Sequence, residues 1–459
     1  MEVEERNIVE KIAEAPAILL EKGVELVETI GKGIINKKPF VRAEEYWNTL
    51  GPGLTTGAAD DDPSGIATYS QTGARYGFQL LWLALFSFPL MAVVQEMCAR
   101  IGLVTGRGLA ANIKEHYSPW ILYSCATLLF VANTFNLGAD LGAMAKAIQL
   151  LAPATSFALL VIGFAVLSLL LQIFSTYARY AKYLKYLALT LLSYALSVLV
   201  LHLDWHQIAL RTMIPSITLS KDQILLICAI LGTTISPYLF FWQTSQEVEE
   251  EILRGKTTIE QRRQETSHKE IKDMRTDIWS GMFLSNLIMF FIIVTCAATL
   301  FTHGITNIGT ADQAAEALRP LAGNFAFLLF TLGIVGTGLL AIPVMAGSAS
   351  YALSESFGWR QGLYKKLKEA HPFYGVIIIS MAFGLLMNFL HIDPIRALIY
   401  SAVLNGLIAP VVLVLIVMIS SNKQTMGQYV NNSATKWVGW ITTIFMIISG
   451  IAAIASFFW

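Results

Sequence analysis

Apolar runs of about 20 residues recur along nearly the whole chain, each long enough to cross a hydrocarbon layer of about 30 Å. In such a medium every backbone N–H and C=O must be satisfied within the protein, and continuous runs of this length do so as α-helices. Eleven spans are predicted, at about 46–75, 79–104, 118–149, 156–174, 181–203, 222–247, 276–302, 323–352, 374–390, 394–420 and 436–458. Charged residues make up 14 % of the chain, against roughly a quarter in a soluble domain. The expected fold class is therefore an all-α polytopic membrane protein. A formal net charge of +0 offers no basic face for nucleic acid. Cys98, Cys125, Cys228 and Cys296 lie in or beside apolar spans, without metal-finger spacing. No nucleophile–base constellation or cofactor motif is present, and the loops are too short for a catalytic domain. Neither an enzyme, nor a cofactor, nor an obligatory protein partner is expected.

Orientation follows from the basic residues. Residues 1–45 set Ile8, Ile12, Ala15, Leu19, Leu26, Ile30 and Ile34 at helical spacing, with Lys and Glu on the other face. That pattern predicts an amphipathic cytoplasmic segment rather than a signal peptide. With this end inside, the segment and the inner loops carry 26 of the 32 Lys and Arg. The outer loops carry only Arg75, Arg211, Lys221, Arg319 and Arg396, and Lys146 sits within a span. The bias predicts a plasma-membrane protein with its N-terminus in the cytoplasm and its C-terminus outside. His202, His206 and His303 fall on the predicted outer side, with no metal-ligand spacing.

The first span contains Asp60-Asp61-Asp62-Pro63-Ser64-Gly65. An ionisable residue within a membrane marks a functional site by default. Irregular backbone at that depth is tolerated where it lines a cavity, and there its carbonyls are free to bind a cation. Five spans later, Gly232-Thr233-Thr234-Ile235-Ser236-Pro237 interrupts the sixth span in the same way. Breaks at corresponding positions of two halves point to inverted repeats with the site between them. The predicted organisation is one five-helix repeat over 46–203, a second over 222–420, and an eleventh helix over 436–459.

Several blocks resemble a known family. Gly51-Pro52-Gly53, Asp62-Pro63, Ala67-Thr68 and Gly73-Ala74-Arg75-Tyr76-Gly77 look like the first helix of Nramp divalent-metal transporters. Span 2 and its loop, from Cys98 to Tyr117, are similar to the same family. The resemblance implies a LeuT-type fold and metal uptake into the cytoplasm. It also implies Asp62 as a metal ligand, with the backbone carbonyls of Ala59 and Thr233 beside it. The chain departs from the family where Asp-Pro-Gly-Asn becomes Asp62-Pro63-Ser64-Gly65 and Met-Pro-His becomes Ser236-Pro237-Tyr238. One acid of the pair in span 3 remains, Asp140, and the other position holds Ala143. These departures resemble the Nramp-related magnesium transporter branch.

The substitutions have a chemical sense. A thioether favours soft transition metals, whereas carboxylates, carbonyls and water suit Mg²⁺ and Mn²⁺. Ser236 removes the soft ligand, and Gly65 is expected to enlarge the space around Asp62. Mg²⁺ dehydrates reluctantly and binds one or two carboxylates while keeping several waters. The metal site expected is Asp62, Ala59, Gly65, Thr233 and Ser236, with Asp61 in direct or water-mediated contact. The expected function is import of partly hydrated Mg²⁺ and Mn²⁺ by alternating access, without tight proton coupling. The alternative is a proton-coupled Mn²⁺/Fe²⁺ transporter of the ordinary Nramp type. A sodium-coupled amino-acid transporter is disfavoured, because three acids repel a substrate carboxylate.

Other polar groups are less decided. Asn133, Asn136 and Asp140 form one stripe on span 3, open to either packing or ion passage, and Asn405 is expected to pack. Glu247, Glu249, Glu250 and Glu251 crowd the inner end of span 6, where acids oppose the helix dipole and call for cations from the basic loop that follows.

Overall fold

The computed structural model describes residues 38–199, 201, 203–218, 220–308, 310–390 and 394–456. The amphipathic pattern of residues 1–37 and the position of His202 lie outside the described residues. The chain forms two units, Met1–Leu50 and Gly51–Trp459. In the first, helix α1 (Lys38–Thr49) ends with the Thr49 hydroxyl donating back to the Glu45 carbonyl at 3.0 Å.

The second unit is all helical among the described residues. It runs α2 (Pro52–Asp60), α3 (Pro63–Tyr76), α4 (Trp82–Thr105), α5 (Leu109–His116), α6 (Pro119–Leu151), α7 (Phe157–Phe174), α8 (Tyr177–Leu187) and α9 (Leu192–Val198). There follow α10 (Trp205–Met213), α11 (Lys221–Thr234), α12 (Pro237–Leu253), α13 (Ile259–Gln264) and α14 (His268–Thr299). The chain closes with α15 (Ala311–Phe357), α16 (His371–Met387), α17 (Pro394–Ser420), α18 (Lys423–Met426) and α19 (Ser433–Ser456).

Local sequence explains many of the boundaries. Ser267 and Glu270 form a capping box on α14, as Thr258 and Gln261 do on α13. Gly106 (φ 64°) and Gly358 (φ 72°) end α4 and α15 in the left-handed region, where a side chain would be strained.

Among the described residues, seven helical segments are long and apolar enough to cross a membrane, or eight with the bent pair Leu404–Ser420 and Lys423–Tyr429. The other three predicted spans exist as shorter pieces. The first is divided at Asp61-Asp62, the fifth into α8, a 3₁₀ turn and α9, and the ninth is the 17-residue α16.

The divided first span is held by α14, which packs along both α2 and α3. The contact is a row of small residues. A Cβ on Gly53 would come 2.6 Å from the Ile278 nitrogen, and one on Gly57 would strike the Gly281 carbonyl. Backbones approach this closely only where side chains are absent. Gly57→Ala is therefore expected to destabilise the protein by about 1–3 kcal/mol. Gly163→Ala meets nothing within 4 Å on α7 and should be neutral or stabilising, by up to ~1 kcal/mol. Thermal unfolding of the two variants in detergent checks the difference.

Candidate metal centre

The first break is a helix end and a helix start placed two residues apart. Helix α2 stops at Asp60, and Pro63 occupies the first position of α3, where its missing N–H costs nothing. Asp62 is extended (φ −65°, ψ 166°) and caps α3. Its Oδ1 accepts from the Gly65 N–H at 2.6 Å and the Ser64 hydroxyl at 2.9 Å. Its Oδ2 accepts from Asn136 Nδ2, at 2.6 Å, out of α6. Gly65 sits tight against the break, since a Cβ there would lie 3.0 Å from the Asp60 carbonyl. Part of the room expected from its missing side chain is thus occupied by backbone.

The second break separates α11 from α12 at Ile235-Ser236. The Ser236 hydroxyl donates to the Gly232 carbonyl at 2.6 Å, and the Thr233 hydroxyl to Ile230 at 2.9 Å. Thr233 lies in the last turn of α11, where carbonyls have no partner further along the helix. Two tyrosines join the breaks. Tyr238 donates to the Ala59 carbonyl at 2.9 Å, and Tyr69 lies 3.4 Å from the Thr234 hydroxyl. Ser348 on α15 in turn donates to the Tyr238 carbonyl at 2.7 Å.

The three aspartates are all buried, and they diverge. Asp60 Oδ2 accepts from Ser285 on α14 at 2.9 Å, and Asp62 turns to α3 and α6. Among the described residues, neither oxygen of Asp61 has a well-formed hydrogen bond, and nor do Asp60 Oδ1, Asn136 Oδ1 or either oxygen of the buried Asp140, although Ser285 stands beside Asp61 and the Ser64 N–H beside Asp140. Among the described residues no three His, Cys, Asp or Glu side chains form a ready metal cage. What the breaks assemble instead is an excess of oxygen acceptors around two positive helix starts.

The other sequence-flagged groups separate by role. Asn133 donates to the Met345 carbonyl at 3.0 Å and packs, whereas Asn136 bonds Asp62 at the first break. Asn405 is buried, with its Oδ1 unbonded. The four glutamates of α12 fan out around the helix. Glu250 takes the Tyr177 hydroxyl at 3.0 Å and lies 4.0 Å from Arg254, and Glu251 pairs with Lys256 at 3.4 Å. Glu247 accepts from Gln243 at 2.8 Å, and Glu249 binds groups of α15 and the loop after it. The basic loop answers only two of the four.

Two contributors escape the sequence reading. Met345 Sδ stands 3.0 Å from Asn136 Nδ2 and so borders the site from α15. Asp277 on α14 accepts the N–H groups of Gly51 at 2.8 Å, Gly53 at 2.7 Å and Leu54 at 3.0 Å. It caps α2 from another helix, a task that Gly51 at the N-cap has no side chain to perform. An acid at the edge of the apolar run 276–302 was the available signal, by the same logic that singles out Asp60–Asp62.

Helices that stop and restart opposite one another around buried carboxylates define a polytopic membrane protein of LeuT-like fold. The chain belongs to the Nramp family, since residues 53–456 match its model, described as natural resistance-associated macrophage protein-like. It is 26 % identical over 402 residues to the divalent metal cation transporter MntH of Deinococcus radiodurans, covering 87 % of each chain. It is 27 % identical over 409 residues to MntH of Clostridium acetobutylicum, covering 88 % of this chain and 89 % of the relative. A crystal structure of the Eremococcus coleocola manganese transporter is similar in fold, with a TM-score of 0.68 at 19 % identity, over 90 % of this chain and 88 % of that one.

Asp277→Ala should leave three helix-start amides unsatisfied and cost about 1–3 kcal/mol. Faster hydrogen exchange at Gly51, Gly53 and Leu54 would report it, and Asp277→Asn, which keeps one acceptor oxygen, should be milder.

Proposed function

We propose that the chain carries divalent cations across the plasma membrane by alternating access, through the site between the two breaks. The observation that carries this reading is the surplus of buried oxygens, on Asp61, Asp60, Asn136 and Asp140, that lack a well-formed hydrogen bond among the described residues. No Lys, Arg or His forms an ion pair with these acids among the described residues. A buried carboxylate without a partner is costly, and a cation arriving between the breaks relieves that cost. Asp61 offers both its oxygens. Asp62 Oδ2 needs to exchange only its bond from Asn136, and turning that amide would present Asn136 Oδ1 to the ion. The amide lacking at Gly65 is then supplied from α6. The Ala59 and Thr233 carbonyls and the Ser236 hydroxyl complete an all-oxygen surround, reached directly or through water.

Such a surround suits hard ions, so Mg²⁺ and Mn²⁺ are the proposed substrates, carried with part of their hydration. With these substrates the chain would belong to the magnesium-transporting branch of the family. Eleven crossings in a 5 + 5 + 1 inverted-repeat order, with the basic loops in the cytoplasm, complete the proposal. Uptake would be driven by the membrane potential, worth roughly 5 kcal/mol for two charges crossing 100 mV, rather than by protons. The relatives named as divalent metal and manganese transporters support divalent-cation transport.

A second reading draws on Met345. Its thioether, beside Asn136, is placed to restore the soft character lost at Ser236, which would favour Mn²⁺ or Fe²⁺ and the proton-coupled behaviour of ordinary Nramp transporters.

Mg²⁺ uptake into proteoliposomes separates these accounts. Asp62→Ala and Asp61→Asn should each reduce uptake to near background, and undiminished uptake in both would contradict the site. A pH-sensitive dye inside the vesicles should stay unchanged during entry. Met345→Leu should leave Fe²⁺ a poor competitor of Mg²⁺; a marked loss of Fe²⁺ competition in that variant, with acidification in the wild type, would favour the second reading.

A further inference from the structure

A cavity of about 470 Å³ lies where α5, the end of α12, α13 and the end of α15 converge. Its buried lining is rich in oxygen acceptors. Glu249 and Glu355 are 2 % and 6 % exposed. Glu249 accepts from the Tyr351 hydroxyl at 2.5 Å and from the N–H groups of Leu363 at 2.7 Å and Tyr364 at 3.0 Å. Glu355 accepts from the Ala111 N–H at 2.9 Å and from Gln361 Nε2 at 2.9 Å. A carboxylate has about four lone-pair sites, so each retains acceptor capacity. Two further oxygens line the cavity without a well-formed hydrogen bond: Ser245 Oγ, in a residue 2 % exposed beside Glu355, and Gln361 Oε1.

Three of the nearby cations are engaged with other groups. Lys256 pairs with Glu251 at 3.4 Å and Arg107 with Glu115 at 2.5 Å. Arg262 donates to the carbonyls of Gly106, Lys256 and Thr257. Neither Glu249 nor Glu355 forms an ion pair with a Lys or Arg among the described residues. Lys114, exposed and also without an ion pair among the described residues, stands in the cavity wall.

We propose that this cavity is a second, regulatory site for a hydrated divalent cation, and that its occupancy slows transport. Two carboxylates with a hydroxyl and an amide oxygen match what Mg²⁺ accepts while keeping most of its water. Six waters at about 30 Å³ each fit within the volume. The site joins moving parts. Glu249 belongs to α12, the second half of an interrupted span, and ties it to α15 and the loop that follows. Glu355 ties α15 to the first turn of α5. A cation between the two acids holds these three elements together and opposes any opening of the break toward this face. The face carries the basic loops, so the ion that binds there is the one accumulating in the cytoplasm. The inference rests on the transport function and orientation proposed above.

The test measures initial uptake of radiolabelled Mn²⁺ into proteoliposomes with and without Mg²⁺ sealed inside. Wild type should slow several-fold with internal Mg²⁺. The ratio of the two rates should approach one in Glu355→Gln. Because that change also touches the cap of α5, two milder variants accompany it. Ser245→Ala should require more internal Mg²⁺ for half-inhibition, and Lys114→Glu should require less. Equal rates in wild type, or an unchanged ratio across all three variants, would overturn the site. If wild-type vesicles take up no ion, the transport reading fails instead. The cavity is then judged by Mg²⁺-dependent protection of the Leu363 and Tyr364 amides from hydrogen exchange in detergent. Protection present in wild type and lost in Glu355→Gln supports the site; the same result in both overturns it.

Discussion

A carboxylate in an apolar interior must gather donors or a cation, and the gathering by Asp62 and Asp277 determines the shape of the first break. Asp62 starts α3 from within the chain, and Asp277 starts α2 from α14. Between these two anchors the backbone is free to leave helical geometry at Asp61-Asp62. The glycine contacts of α2 with α14 fix the approach, and the Tyr238–Ala59 bond ties the second break to the first. Satisfying the helix starts in this way leaves Asp61, among the described residues, without a well-formed hydrogen bond.

The same device recurs toward the face of the basic loops. Glu249 and Glu355, like Asp277, are buried acids that accept backbone N–H groups of a neighbouring element. Contacts of this kind are strong because they are charge-assisted, yet each joins separate elements and is open to exchange. The alternating access proposed for this chain would need junctions with that property. In the proposed account a cation acts in two ways, as cargo at the breaks and as a clasp at the cavity.

Much of this was legible in the sequence because helices and breaks are local. The apolar runs marked the long helices, and Pro63 and Pro237 marked where two of them restart. The three aspartates pointed to the proposed centre. The partnerships were not legible, because they join residues far apart in the chain. Asn136 lies 74 positions from Asp62, and Asp277 lies 224 from Gly53. Periodicity places Asn136 on a polar stripe but does not say which neighbour the stripe meets. The four glutamates of α12 read as one acidic cluster in sequence, whereas helical rotation sends each to a different partner. Met345, an apolar residue in an apolar run, carried no signal at all. Gly65 shows the converse: its missing side chain suggested open space, and the fold drew the Asp60 carbonyl in close.

The central claim is that a hard cation occupies the space between the two breaks, facing Asp61 and Asp62. Anomalous diffraction from crystals equilibrated with Mn²⁺, with Mg²⁺ as competitor, tests it most directly. The expected result is a peak between Asp61–Asp62 and Ser236, reduced by added Mg²⁺ and absent in Asp62→Ala. A strong peak elsewhere with none at the breaks, or one that Mg²⁺ leaves untouched, would contradict the account.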